Sequence, residues 1–155
     1  MANLVDAMEL KLLQLIFNAT NWANIADNTA TAPVTVWYPS LQTAAVSDTT
    51  TTQSVSEAAY TGYLSGSNRT GSAARTSGGW TCATGAGVST AINAATISYG
   101  VATAGTPETE TYIVIGPALS GAGTAYLWGQ LTNSLVVNIG ITPQFAAGAL
   151  VCEAK

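Results

Sequence analysis

Apolar side chains recur at spacings of three and four between residues 4 and 17, which is the pattern of an α-helix with one apolar face. Asn3 is a residue type that caps helices, and Asp6 adds a carboxylate in the first turn, where it favours a helix N-terminus. The sequence therefore predicts an amphipathic helix over about residues 3–18, which must pack on the chain's own β-core or on a neighbouring subunit. Its apolar stripe consists of Leu4, Met8, Leu12, Leu15 and Ile16, and Leu13 and Phe17 widen it.

Beyond a polar loop at residues 18–32, the pattern changes to that of β-strands. Residues 34–38 are rich in β-branched and aromatic side chains and predict a strand. Pro39 is expected to end this strand, because proline has no N–H to donate to a ladder. Residues 40–58 are rich in Thr, Ser and Ala, and they form either an extended, solvent-facing stretch or a loop.

The C-terminal half carries most of the strand signals. Its clearest pattern is at residues 134–141, where Leu135, Val137 and Ile139 alternate with residues of the opposite face. Together the patterns predict a mainly β chain: an antiparallel β-sandwich of jelly-roll or barrel-like form, preceded by one N-terminal amphipathic helix. In this prediction all of residues 1–155 form a single domain. The other predicted strands contain Ile92 to Tyr99, Thr111 to Ile115, Ala125 to Leu131, and Phe145 with Leu150 and Val151.

A segment rich in glycine, serine and threonine, at about residues 64–87, separates the two strand-forming parts. Its many glycines and few core-forming residues predict long loops or an arm that becomes ordered on a partner. Arginine and aromatic side chains in and beside it are types enriched in protein interfaces. The predicted interface residues here are Tyr60, Tyr63, Arg69, Arg75 and Trp80, and the helix offers a second predicted contact surface at Leu4, Met8 and Leu12.

Charge is scarce in this chain, and its scarcity narrows the possible functions. Asp, Glu, Lys and Arg make up 8% of the residues, the formal net charge is −4, and histidine is absent. Without histidine, no side chain has an ordinary pKa near neutrality to activate a serine, so we predict that the chain is not an enzyme. The 4 basic residues are scattered, which argues against a nucleic-acid partner. No apolar run reaches the length of a membrane span, so no membrane partner is expected.

The remaining candidates for chemistry have simpler structural explanations. Glu108 and Glu110 would share one face of a strand, as paired carboxylates can in glycosidases, but solvation or a contact between subunits is the favoured explanation. Cys82 and Cys152 are predicted to be two small, partly buried thiols, with a disulfide between them as the alternative. No spacing of side chains predicts a metal site, and no nucleotide-binding pattern is complete, so no cofactor is expected.

Aromatic faces raise one further possibility, a platform for stacking on sugars. Packing in the core and at interfaces is the favoured role, because tryptophan is enriched in both. The residues concerned are Trp22, Trp37, Trp80 and Trp128.

Several short motifs occur in the same order as in a known family. Ser56-Glu57 followed by Tyr60-Thr61-Gly62-Tyr63 resembles one region of small tailed-phage virion proteins, which are described as tail fibre, head fibre or capsid-associated proteins. The resemblance covers most of the chain, and it depends on the collinear order because each motif is short. The other similar segments are Asn3 to Phe17, Asn93 to Tyr99, Thr111 to Gly116, Ala125 to Leu131 and Phe145 to Leu150.

The resemblance implies a non-enzymatic structural component of a tailed-phage particle, located in the virion and assembled in the host cytoplasm. Its favoured role is a capsid decoration or cement protein that stabilises the head through contacts between subunits. The alternatives are a tail-fibre, head-fibre or collar component, or a receptor-binding or carbohydrate-binding module. The expected partners are other copies of the chain, with a trimer preferred from the resemblance, and a major capsid or other virion protein.

Overall fold

The computed structural model describes residues 6–21, 33–85 and 88–154 of the chain. Within these ranges one helix precedes eleven strands, and the strand pairs with a defined register are antiparallel. The predicted class, mainly β and antiparallel with a helix near the N-terminus, is therefore confirmed. The elements are α1 (Asp6–Asn18), β1 (Val36–Gln42), β2 (Leu64–Ser65), β3 (Asn68–Arg69), β4 (Ala73–Ala74), β5 (Trp80–Gly85), β6 (Val88–Asn93), β7 (Ile97–Ser98), β8 (Glu108–Gly116), β9 (Leu127–Val137), β10 (Gln144–Phe145) and β11 (Val151–Ala154).

The backbone packs into two compact units, each assembled from separate parts of the chain. Unit 1 consists of Met1–Val36, Ala73–Ile97 and Phe145–Lys155, and it holds α1 and a sheet with the strand order β11-β6-β5. Unit 2 consists of Trp37–Ser72 and Ser98–Gln144, and in it β8 pairs with β1 on one side and with β9 on the other. Among the described residues, no helix combines the length and apolar character needed to cross a bilayer.

In unit 1 the helix lies on the three-stranded sheet, and it does so with the side of the predicted stripe that carries Leu13 and Phe17 rather than with its centre at Leu12. α1 contacts β5, β6 and β11, and the ring centroids of Phe17 and Trp80 are 4.5 Å apart. Its buried side chains are Glu9, Leu13 and Phe17, which are spaced by four residues, whereas Leu12 is only partly buried. Successive side chains of a helix point in directions about 100° apart. A helix with apolar side chains in several of these directions can therefore pack through more than one of its own faces. Contact with Trp80 selects the face that carries Phe17.

β1 runs through Pro39, and the prediction that this proline ends the strand is wrong. Pro39 is paired in register with Ile115 of β8. Two residues later, the Leu41 N–H donates to the Tyr63 hydroxyl (3.0 Å) and the Leu41 carbonyl accepts from the Ala58 N–H (2.9 Å). Alternate residues of a strand direct their backbone N–H and C=O groups to opposite sides. The backbone groups of Leu41, and those of Pro39 two residues earlier, therefore face away from β8. Proline at position 39 costs the β1–β8 ladder no hydrogen bond.

β9 is one continuous strand where the sequence predicted two. It spans Leu127–Val137, and a bulge interrupts its register with β8. The chain then turns at Gly140, whose φ of +86° lies in the left-handed region that favours glycine. The predicted alternation through residue 141 therefore ends in a turn, on which Ile139 and Ile141 are exposed.

The strand predicted over Ile92 to Tyr99 is divided into β6 and β7. The side chain of Asn93 makes the break, because its amide donates to the carbonyls of Ala95 and Ala146 (both 2.8 Å) and its oxygen accepts from the Leu150 N–H (2.8 Å). These bonds satisfy backbone groups that would otherwise need a partner strand. The buried asparagine therefore fixes the end of β6.

Candidate functional site

A buried ion pair holds the start of the glycine-rich segment in unit 2. Arg69 donates to both oxygens of Glu57, with Nε–Oε1 at 2.6 Å and Nη2–Oε2 at 2.7 Å, and its side chain is 2% exposed. Its remaining donors reach the carbonyls of Ala118 and Gly121 at 2.9 Å. This fork geometry is the strongest form of arginine–carboxylate pairing. Each of the three guanidinium nitrogens therefore has a partner within the chain.

Three tyrosines pack next to this pair. The rings of Tyr60 and Tyr63 are 5.5 Å apart in an edge arrangement, and those of Tyr63 and Tyr99 are 5.8 Å apart and stacked. The Tyr63 hydroxyl donates to Glu57 (2.9 Å) and accepts from the Leu41 N–H (3.0 Å). Burial, followed by the neighbouring Tyr99 and Glu57, raises the pKa of Tyr63 well above its ordinary value. The phenol therefore stays protonated and serves as a structural hydrogen-bond relay.

Arg75 and Trp80 have structural roles in unit 1. The Arg75 guanidinium donates to the carbonyls of Leu15 and Ile16 in the last turn of α1, and also to Val34 (3.2 Å). Carbonyls in the last turn of a helix are the ones that need partners from outside it, and a cation there also complements the helix dipole. Trp80 is 0% exposed and lies against the end of the same helix. Both side chains hold α1 on the sheet.

The interface residues predicted for the glycine-rich segment thus make contacts inside the chain. The segment contains β2 to β5 where the sequence predicted loops or an arm, because the backbone packs closely on side chains. A Cβ added at Gly71 would lie only 2.3 Å from Tyr99 Cε1. On α1, Leu4 lies outside the described residues, and so does the side chain of Met8, whereas Leu12 is partly buried. That any of these residues contacts a partner stays a prediction.

Glu108 and Glu110 share a face of β8 as expected, but they do not form a solvated pair. The Glu108 carboxylate accepts the backbone N–H groups of Ala59 (3.1 Å) and Tyr60 (3.0 Å). Glu110 is 0% exposed, and burial together with the neighbouring Glu108 raises its pKa to about 8. Glu110 is therefore mostly protonated at neutral pH. Its complete burial leaves a substrate no access to Glu110, so the two carboxyls cannot act together on one.

Cys82 and Cys152 are free thiols, and both are partly buried, as predicted. Both are aligned with Ala91, because β5 and β11 flank β6. Strands two positions apart in a sheet are separated by about 10 Å, which is beyond the reach of a disulfide. In the described ranges, no cluster of three or more His, Cys, Asp or Glu side chains could hold a metal ion.

The tryptophans divide into buried and exposed members. Trp37 and Trp80 are buried, which agrees with the favoured packing role, whereas Trp22 lies outside the described residues. Trp128 is 43% exposed; its indole N–H donates to Asp48 Oδ1 (3.0 Å), and its ring centroid is 6.3 Å from that of Tyr112. No sequence signal distinguishes Trp128 from the other three tryptophans, since exposure depends on the position of β9 in the sheet.

Several large apolar side chains of the described residues are exposed to solvent. Solvent exposure of large apolar groups, when it is extensive, marks surfaces that contact other molecules. In unit 1, the register places Thr81 of β5, Ile92 of β6 and Val151 of β11 in one row, and Val151 is 48% exposed. Among the described residues, the exposed large apolar side chains are Val55, Leu64, Val101, Leu119, Tyr126, Trp128, Val136, Ile139, Ile141 and Val151.

Comparison with known proteins supplies the family. A comparison with curated proteins finds no match. A family model described as podophage GP4 fiber I protein gp80 matches residues 3–153, which include all elements from α1 to β10 and most of β11. This match confirms the resemblance to phage virion proteins that the motifs indicated. The chain therefore belongs to the podophage GP4 fiber I protein family, and it is a structural component of the virion.

Proposed function

We propose that this chain is a non-enzymatic subunit of a fibre on a podophage particle, and that it functions by assembling with copies of itself and with other virion proteins. The observation that carries the proposal is the family match over residues 3–153, because a match of that length includes both units. The sequence favoured decoration of the capsid. The family description favours a fibre, and we therefore place the chain there.

The surface supports assembly through apolar contacts rather than through charged ones. With 8% charged residues, the chain has little electrostatic repulsion against neighbours, and its exposed apolar side chains gain free energy when they are buried. In unit 1, Val151 is such a group and Leu12 is only partly buried, and we propose that both lie in contacts between subunits. A trimer is the proposed stoichiometry, from the resemblance to virion proteins.

The residues predicted as an interface arm are proposed to support assembly indirectly. Arg69, Arg75 and Trp80 have their polar or apolar groups engaged within the chain, so they fix the shape of the loops that face a neighbour. The same engagement supports the non-enzymatic role, because Arg69 holds the Glu57 carboxylate and the Glu110 carboxyl is fully buried. Turnover in a broad screen of hydrolase substrates would contradict this part of the proposal.

Labelling of intact particles tests the position of the chain. Antibodies raised against the purified chain and coupled to gold are applied to particles and to isolated capsids, and both are examined by electron microscopy. We expect gold on appendages and none on the faces of the capsid shell. Gold spread evenly over the shell would contradict the fibre proposal and support decoration instead.

A further inference from the structure

One aromatic side chain on unit 2 is exposed yet held in a fixed orientation. Trp128 is anchored through its indole N–H to Asp48 Oδ1, and its ring lies at 34° to the ring of Tyr112. Burial orients the other described tryptophans, but a polar partner orients this one. An indole anchored at its N–H keeps its apolar face in a defined position towards solvent.

Polar groups lie beside this ring. The β8–β9 register aligns Tyr112 with Gln130 and Val114 with Trp128, so the side chains of Tyr112, Trp128 and Gln130 are on the same face of the sheet. Gln130 and Asp48 are both exposed, and none of the described residues hydrogen-bonds the Gln130 amide. We call Asp48, Tyr112, Trp128 and Gln130 the aromatic ledge.

We propose that the aromatic ledge binds a neutral pyranose sugar. The C–H face of a pyranose ring is apolar and matches the exposed face of the indole, while its hydroxyls can donate to the Asp48 carboxylate and pair with both ends of the Gln130 amide. The indole thus supplies apolar contact area, and the two polar side chains beside it orient the ring. This proposal does not depend on where the chain sits in the particle.

The negative charge of the aromatic ledge favours neutral sugars over anionic ones. Asp48 is the one ionisable carboxylate of the ledge, and the whole chain has a net charge of −4, so sialylated or phosphorylated sugars are repelled. A protein partner fits less well, because the cores of protein interfaces are depleted in charged residues and would leave Asp48 and Gln130 to be desolvated. Hydroxyl groups of a sugar satisfy both side chains without that cost.

Titration of the purified full-length chain with defined sugars tests the proposal. The probes are the methyl glycosides of glucose, galactose, mannose and N-acetylglucosamine, with 3′-sialyllactose as the anionic arm. Saturation-transfer NMR and tryptophan fluorescence report binding. We expect at least one neutral glycoside to bind with millimolar affinity and to change the fluorescence, and we expect no binding of 3′-sialyllactose.

Matched variants on β9 localise the site. Trp128→Ala is expected to weaken binding by about tenfold or more, which is about 1.4 kcal/mol, since it removes the apolar face against which the sugar ring packs. Gln130→Ala is expected to weaken binding as well. Val136→Ala changes another exposed residue of the same strand and is expected to leave the affinity unchanged.

Three results would overturn the proposal. These are no binding of any neutral glycoside by the unmodified chain, unchanged affinity in folded Trp128→Ala, and preferential binding of 3′-sialyllactose. If the unmodified chain binds no sugar but Trp128→Ala is incorporated poorly into particles, the ledge is a protein contact and the sugar proposal is wrong. Circular dichroism of each variant confirms that it is folded.

Discussion

At the scale of single residues, a few buried polar groups define unit 2. The Glu57 carboxylate receives two donors from Arg69 and one from Tyr63, and all three residues lie between positions 57 and 69. A buried ion pair is close to neutral for stability when it is complete, because the cost of desolvation offsets the attraction. Loss of one partner is different, since it leaves an uncompensated charge in the interior.

Replacement of Arg69 tests this pair. Arg69→Met is expected to lower the free energy of unfolding by about 3–5 kcal/mol, because the Glu57 carboxylate stays buried without a cation. Urea denaturation followed by circular dichroism measures the change. Asn68→Ala, at the exposed neighbouring position of β3, is the matched control and should change stability by less than about 0.5 kcal/mol. Similar losses in the two variants would contradict the structural role of Arg69.

The protonation of Glu110 makes stability depend on pH. Its pKa is about 8 in the folded chain against an ordinary value of 4.5, so folding takes up a proton between these values. This contribution to stability is complete below about pH 4.5 and is lost as the pH rises towards 8, by at most about 1.4 kcal/mol per pH unit. Since the chain has no histidine, no other side chain type ordinarily titrates in this window.

A pH series of unfolding experiments measures the effect of Glu110. The unmodified chain should lose stability steadily from pH 5 to pH 8, and Glu110→Gln, which stays uncharged, should show a much flatter profile. A flat profile in the unmodified chain would contradict the burial of an ionisable carboxyl at this position. If the stability of Glu110→Gln falls equally with pH, another titrating group is responsible for the loss.

At the scale of elements, the attachment of α1 to the sheet depends on Arg75. This arginine lies 60 positions along the chain from Leu15, which is one of the two helix residues that it contacts. Arg75 caps the last turn of α1 by donating to the Leu15 and Ile16 carbonyls. Helix ends without such partners leave carbonyl groups unsatisfied. The helix and the glycine-rich segment therefore stabilise each other within unit 1.

Removal of this cap should loosen the end of α1. Arg75→Ala is expected to lower the free energy of unfolding by about 2 kcal/mol, the typical contribution of hydrogen bonds to a charged group. Hydrogen exchange should accelerate at the amides of residues 15–18 more than elsewhere in the helix. Lys11→Ala alters an exposed cation on α1 and serves as the control. Equal exchange rates in Arg75→Ala and the unmodified chain would show that Arg75 does not hold the helix.

Local patterns predicted the elements themselves better than their contacts. The helix follows from its three- and four-residue periodicity, and the strand at residues 111–115 follows from its short apolar run. The passage of β1 through Pro39 could not be predicted, since it depends on which side of the strand faces β8. The burial of Arg69 and Trp80 likewise depends on partners elsewhere in the fold, so their types alone indicated an interface. For the candidate site, the sequence named Trp128 but not its exposure.

At the scale of the whole molecule, composition and surface both favour association. The family match places the chain in the virion, and the low charge together with exposed apolar groups in each unit favours contacts with neighbours. Glu57, Arg69 and Glu108 hold loops in unit 2, and Arg75 holds the end of the helix in unit 1. The molecule is thus organised to keep its surface fixed, which is what a repeated building block of a particle requires.

A cryo-electron microscopy reconstruction of the intact particle, including its appendages, tests this account most directly. We predict that the folds of units 1 and 2 are found in repeated copies within an appendage, each copy in contact with neighbouring virion proteins. Absence of the chain from purified particles, or density for isolated copies that touch no other virion protein, would contradict it.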